Sequence, residues 1–303
     1  MYTRLPDELV ARIVRLADPA ALPTFRRLDH RGRHQSKERF SQLTQLHSPR
    51  FNVASTDILG QGGACTVNLF GKQLGDADIE VLAKACSSGA LPRCTTLFLN
   101  QNQIEDKGFQ ALSSALATGA LPSITQLYLH QNRIGDAGCI AFAEACASGA
   151  MAQCQLLRLD RNEIGDMGCE ALSRALATGA MPTCRVLDLQ ANQIGDRGME
   201  ALASALYTGA LASCQTLDIS FNAIGDSGLS SVSGALVTGA MAQVTSLSLQ
   251  GNQVGDAGVE AFSSALANGA MVSLTTLYVD NGHFGTEHPA LKAICLARGI
   301  TIP

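Results

Sequence analysis

The chain has 303 residues, 46% of them hydrophobic and 16% charged, a composition that supplies a large buried core and argues against disorder over most of its length. Its formal charge of −4 is unevenly spread: residues 1–50 carry ten Lys/Arg against five Asp/Glu, net +5, and the remainder twelve against twenty-one, net −9. An acidic body lacks the cations that bind a phosphate backbone, so nucleic acid is not expected on it. With no run of about eighteen apolar residues, a membrane-spanning helix is not expected either.

The first twenty residues, MYTRLPDELVARIVRLADPA, scatter Asp7, Glu8, Arg12 and Arg15 among apolar side chains. They lack the uninterrupted apolar stretch and small-residue cleavage site of a secretory leader, so a cytoplasmic or nuclear protein is expected. Leu5 and Pro6 open the segment, Leu9, Ile13 and Leu16 follow at helical spacing, and Pro19 of an Asp-Pro pair precedes Leu22. This pattern resembles the first half of an F-box. That resemblance implies a small helical unit docking the adaptor subunit of a cullin-based ubiquitin ligase. The second half, FRRLDHRGRHQSKERFSQL, has a thinner apolar pattern and no Trp. The alternative is an amphipathic cap over the open end of the following array, whose first unit would otherwise expose its apolar edge. Residues 1–45 are therefore read as a helical F-box-like or capping segment. Residues 46–63, with Pro49, Gly60, Gly62 and Gly63, read as a linker.

From residue 64 to 303 one unit of about thirty residues recurs. Asn102, Asn132, Asn162, Asn192, Asn222 and Asn252 mark its phase. Lys72 and Gly282 take the Asn position in the outermost of eight units, as terminal repeats commonly depart from consensus. Each unit opens on an L-x-L such as Leu97-Phe98-Leu99, preceded three positions earlier by an apolar residue such as Cys94, which predicts a short strand with one face inward. The Asn column follows, where a repeated amide between apolar columns would satisfy buried backbone groups at a turn. A helix then starts at Asp76, Asp106, Asp136, Asp166, Asp196, Asp226 or Asp256, each expected to act as its N-cap. Phe109, Leu112, Ala115 and Leu116 form its inward stripe, and Gly119, Gly149, Gly179, Gly209, Gly239 and Gly269 fit a left-handed position beyond its end. Tandem strand–helix units need right-handed crossovers and stack into a parallel sheet.

The run from Cys184 to Ile194, C-x-x-L-x-L-x-x-N-x-I, resembles a leucine-rich repeat, and the G-D-x-G-x-x-A-L-x-x-A-L after it is similar to the ribonuclease-inhibitor-like subclass. The resemblance implies an α/β right-handed horseshoe, with the parallel sheet on the concave face and α-helices on the convex face. A protein partner on the concave face follows, and with the F-box-like segment a substrate receptor of a ubiquitin ligase. Two alternatives come from the same subclass. One is a GTPase-activating protein of the nuclear-transport GTPase type; the other is an inhibitor that wraps its ligand as ribonuclease inhibitor does.

No catalytic, cofactor or metal site is expected. The cysteines fall in core columns: Cys94, Cys154, Cys184 and Cys214 on the strand, Cys139 and Cys169 on the helix, Cys86 and Cys146 two helical turns on. They read as small buried hydrophobes. There is no C-x-x-C pair, G-x-S-x-G elbow, Walker loop or H-E-x-x-H, and His30 with His34 lacks a third ligand nearby. The recurring Gly-Asp-x-Gly repeats in too many units to be a phosphate loop.

The residues flanking the leucines should face the concave side. The central column reads Asn68, Phe98, Tyr128, Arg158, Asp188, Asp218, Ser248 and Tyr278; the next begins Phe70, Asn100, His130 and Asp160; a loop column includes Gln101, Arg161 and Phe221. The buried columns stay Leu or Ile while these vary, and exposed aromatics and Arg are the types that anchor interfaces. Phe98 and Tyr128 are expected to form an apolar patch. Arg158, Asp160, Arg161, Asp188 and Asp218 form a charged centre beside it, with His130, Phe221 and Tyr278 completing the candidate surface.

Overall fold

The computed structural model describes residue 51 and residues 65–280 and 288–303. The segment 1–45, with Leu5 to Leu22, lies outside the described residues, as does the 46–63 linker apart from Phe51. Phe51 itself is buried in the hydrophobic core.

Among the described residues eight strands and eight helices alternate: β1 Cys65–Asn68, α1 Asp76–Ser87, β2 Cys94–Phe98, α2 Asp106–Ala117, β3 Gln126–Tyr128, α3 Asp136–Ala147, β4 Leu156–Arg158, α4 Asp166–Ala177, β5 Val186–Asp188, α5 Asp196–Leu206, β6 Thr216–Asp218, α6 Asp226–Leu236, β7 Ser246–Ser248, α7 Asp256–Ala267, β8 Thr276–Tyr278 and α8 Pro289–Arg298. The strands form one parallel sheet in sequence order, and from β2 onward each residue pairs with the one thirty positions later, as Leu97 with Leu127 and Phe98 with Tyr128. Thr301 bridges to Thr276 and covers part of the last edge. The result is the expected α/β solenoid: a strand face, a helix face, and between them a core of Leu97, Leu99, Ile104, Phe109, Leu112 and their repeats. Within that core the rings of Phe109 and Phe142, from adjacent helices, stack with centroids 5.1 Å apart.

Two side-chain ladders tie successive coils. The Asn ladder reaches backward. Asn132 Nδ2 donates to the carbonyl of Leu129 in its own coil (2.8 Å) and to that of Leu99 in the preceding one (3.0 Å), while its Oδ1 accepts the Ile104 N–H at 3.1 Å. Asn102 bonds Leu69, Leu74 and Leu99 in the same way, so the first coil is bound although its own position holds Lys72. Backbone groups that the turn removes from the sheet are thereby satisfied inside the stack.

The Asp ladder reaches forward, and here the expectation is corrected. Each Asp is the first residue of its helix, the preceding Gly or Glu105 holds the N-cap, and no side-chain cap bond forms there. A carboxylate on helical backbone at that place leans onto the start of the neighbouring helix instead. Asp106 Oδ1 accepts the N–H groups of Gly135 (2.8 Å) and Gly138 (2.9 Å), and Asp136, Asp166, Asp196 and Asp226 repeat this on the next coil. The Asp caps a helix, but the next one, where its charge also meets the positive end of that helix. Gly138 is required by this approach: a Cβ there would sit 2.8 Å from Asp106 Oδ1.

The helix ends behave as expected. Gly119 has φ +77°, its N–H bonds the Leu116 carbonyl at 2.8 Å, and that of Ala120 bonds Ala115 at 3.1 Å, the paired bonds of a Schellman end.

Candidate functional site

The alternation that buries Leu97 and Leu99 turns Phe98 and Asn100 to the opposite face, and the strand register stacks equivalent residues in rows across the sheet. Phe98 lies on Tyr128, ring centroids 4.4 Å apart and planes 21° from parallel. The Tyr128 ring meets His130 edge-on at 6.2 Å. On the next rung Arg158 Nε donates to Asp160 Oδ1 at 3.0 Å and to Asp188 Oδ2 at 3.1 Å, and Nη2 reaches Asp160 Oδ2 at 3.2 Å. Asp218 follows on β6, accepting the backbone N–H of Ser220 at 3.0 Å. Phe98, Tyr128, His130, Arg158, Asp160, Asp188 and Asp218 thus form one strip across β2 to β6.

Asp160 is only 2% exposed and sits beneath Arg158. It fixes the guanidinium and offers no surface of its own. Arg161 is exposed beside the strip on the loop edge. Phe221 and Tyr278 stand apart from it. Phe221, 51% exposed, lies over Gly251, where a Cβ would come within 2.5 Å of its ring, and Tyr278 is separated from Asp218 by Ser248.

Burial, together with neighbouring Asp160 and Asp218, pushes the Asp188 carboxyl up to about 7, against the opposing Gln190 N–H and Arg158 guanidinium. Burial moves His130 the other way, below the usual imidazole value; Asp160 opposes this and Arg158 and Arg161 assist. The ring pairs with Asn100, Nδ2 to Nε2, at 2.9 Å. Asn100 Oδ1 and His130 Nδ1 are buried without a hydrogen-bond partner. The sequence reading placed Asn100 in this row but gave it no role; its signal was the shared column with His130 and Asp160.

The loop column carries a backbone signature that the sequence showed only through Gly71 and Gly251. Gln101, Gln131, Arg161, Ala191 and Phe221 all have φ between 51° and 56°. Non-glycine residues there cost about 1–2 kcal/mol each. The conformation turns each N–H toward the next coil, as Gln131 to the Asp160 carbonyl (2.9 Å) and Arg161 to that of Gln190 (2.8 Å).

All ten cysteines are buried thiols. Burial pushes Cys86, Cys154, Cys169, Cys184 and Cys214 up to about 12, with none of the thiolate character a nucleophile needs. Among the described residues no three His, Cys, Asp or Glu side chains converge as metal ligands, and no helix is long and apolar enough to cross a membrane.

A family model described as a leucine-rich repeat matches residues 120–143, 155–173, 181–203, 215–233 and 243–263. No curated protein matches the chain. Among solved structures, an internalin (inlF) from Listeria monocytogenes str. 4b F2365 is 18% identical with a TM-score of 0.44, over 74% of this chain and 56% of that one. A TDR receptor is 14% identical with a TM-score of 0.36, over 65% of this chain and 32% of that one. The chain therefore spans little more than half the length of the internalin.

Proposed function

We propose that the chain is a leucine-rich-repeat protein that works by binding a protein partner on its strand face rather than by catalysis. One observation carries this reading. On a scaffold whose core columns barely change, the strand face carries a stacked Phe98–Tyr128 pair directly beside the fixed Arg158 guanidinium and its carboxylates. Aromatic and Arg side chains held rigid before binding lose little entropy on contact and dominate interface energies.

The test is partner capture with the full chain and with the full chain carrying Phe98→Ala and Tyr128→Ala, read by quantitative mass spectrometry. Truncating such an anchor commonly costs ~2 kcal/mol or more, about thirtyfold in affinity. The specific partner should drop out with the variant. Its full retention would move the site to the helices or loops.

The finer reading is that of a substrate receptor of a cullin-based ubiquitin ligase, with the ligase docked on the amino-terminal segment. It is supported by Leu5, Pro6, Leu9, Ile13, Leu16, Pro19 and Leu22 and by the cation-rich residues 1–50. Substituting Leu9→Glu and Ile13→Glu in the full chain should remove a cullin and its adaptor from the captured set while keeping the strand-face partner. Absence of both proteins from the unsubstituted capture would leave the segment as a cap.

A further inference from the structure

The strand face is unbalanced in charge. Arg158 and Arg161 are set against Asp160, Asp188, Asp218 and Asp280. Asp280 is already engaged by the Gly251 N–H at 2.7 Å, and Arg158 is shared between Asp160 and Asp188. Asp218 lies on the rung beside Asp188 and has no cation of its own among the described contacts. Three carboxylates therefore have one guanidinium among them, and it reaches Asp160 and Asp188 but leaves Asp218 without a cation.

A second feature lies next to them. Asn100, only 6% exposed, and His130 spend one hydrogen bond on each other and leave an acceptor or donor atom apiece unpaired. An unmade bond at a buried group is costly, and a small rotation of the imidazole toward a ligand's peptide group would relieve it. The Phe98–Tyr128 platform covers the same end of the strip.

Resting on the strand-face reading above, we propose that the occupant is an extended polypeptide segment of a separate protein that seats an arginine or lysine between Asp188 and Asp218 and lays a large apolar side chain on Phe98 and Tyr128. The spacing is set by the sheet. From the middle of the aromatic pair to the middle of the carboxylate pair is three strand intervals, ~14 Å at ~4.8 Å each. An extended chain covers that in about four residues, and residues four apart point to the same side. The segment therefore runs across the strands, with the cation and the apolar residue at positions i and i+4 in either order. Its positive charge holds Asp188 ionised, so binding near neutral pH releases a proton from the protein. Asp160, Arg158, Asp218 and the Gln190 N–H are the groups that face Asp188 and set this balance.

The probe is a phage-displayed library of random twelve-residue peptides selected on the full chain, with the best binder then synthesised and measured by fluorescence anisotropy. Selected sequences should carry Arg or Lys four residues from a large apolar side chain. The peptide should lose about tenfold or more in affinity to the chain carrying Asp188→Asn and Asp218→Asn, and should weaken with added salt. It should bind unchanged to the chain carrying Glu144→Gln and Glu260→Gln, which removes the same charge from exposed helix positions. Selection of neutral or acidic sequences, or full binding to the Asp188/Asp218 variant, would overturn the cation. If Phe98→Ala with Tyr128→Ala still abolished binding, the strand-face reading would survive that failure. Insensitivity to both variants, or no enrichment at all, would sink both. A peptide of residues 25–39, FRRLDHRGRHQSKER, outcompeting every selected sequence would put this chain's own basic segment in the site and overturn the separate partner.

Discussion

Asp188 holds its proton to an unusually high pH because its side chain is only 14% exposed and stands between Asp160 and Asp218, and one shared guanidinium does not offset both effects. In the unfolded chain the same carboxyl titrates near 3.8. Between that value and about 7 the folded state keeps a proton that the unfolded state has lost, so the unfolded state binds fewer protons and stability falls as pH rises through this window. Above it both states are ionised and the dependence ends. Asn reproduces the protonated carboxyl in shape and charge. The Asp188→Asn chain should match the parent in thermal stability near pH 3, where the carboxyl is protonated in both states, and exceed it at pH 8, by up to about 4 kcal/mol. Identical melting curves for the two chains at both pH values would mean the carboxyl is already compensated, and the charge-deficient site with it. The contrast with Asp160 is instructive. That residue is almost wholly buried, yet it takes two bonds from Arg158 and serves as the guanidinium's anchor. Alternation along the strand put both aspartates on one face, but which is covered depends on the side chain of the neighbouring rung. That was not legible from a column of letters.

At the scale of one coil, most of the architecture was readable because each part obeys a local rule. The L-x-L alternation, the helical stripe and the glycine after each helix need no knowledge of the neighbour. The Asp column did need it. In a sequence that repeats every thirty residues, a bond from Asp106 to its own helix and one to the next helix leave the same pattern, since every coil supplies both a donor and an acceptor. Only the placement of the Asp at the first helical residue, with Gly135 and Gly138 presented by the following coil, decides it. The close packing that makes this bond also predicts a coupling between the two residues. Ala is worth about 1 kcal/mol over Gly inside a helix, yet in the parent chain Gly138→Ala should destabilise, because its Cβ would meet Asp106 Oδ1 at 2.8 Å. With Asp106→Ala in place the closest clash is gone and only the Phe109 ring (3.2 Å) and the residue-106 backbone (3.3 Å) remain, so Gly138→Ala should cost much less. A double-mutant cycle by chemical denaturation reads the coupling directly. Additive costs would show that Gly138 is kept for some reason other than the forward bond. The left-handed loop column was hidden for a related reason: only two of its positions advertise the conformation with glycine, and the bond that stabilises the rest comes from the next coil.

Because the Asn ladder reaches back and the Asp ladder reaches forward, every interior coil is held from both sides and the two ends are held differently. The first coil receives Asn102 but has no Asn to give. At the other end Asp256 finds no glycine thirty-two residues on, and His288 Nε2 meets its Oδ1 at 3.1 Å instead. The last helix packs Leu291 and Cys295 into the core, and one further side chain clamps its end. Arg298 donates through Nη1 to the carbonyls of Leu266 (2.9 Å) and Ala270 (2.8 Å) and through Nη2 to that of Met271 (2.6 Å). Leu266 lies in the last turn of α7, where the helix dipole also favours a cation, and Ala270 and Met271 lie just beyond that end. In a solenoid each coil touches only its neighbours, so the loss of such a clamp should stay local. Arg298→Met keeps the apolar stem and removes the donors, exposing about 2–3 kcal/mol of carbonyl bonding to loss. Amide hydrogen exchange over α8 and residues 300–303 should then accelerate by about thirtyfold or more, while β3 to β6 and the strand-face site they carry exchange as before. Binding of a strand-face ligand should be unaltered in that variant. An even loss of protection from end to end would mean instead that the coils open as one unit, with the carboxyl-terminal helix setting the stability of the recognition face.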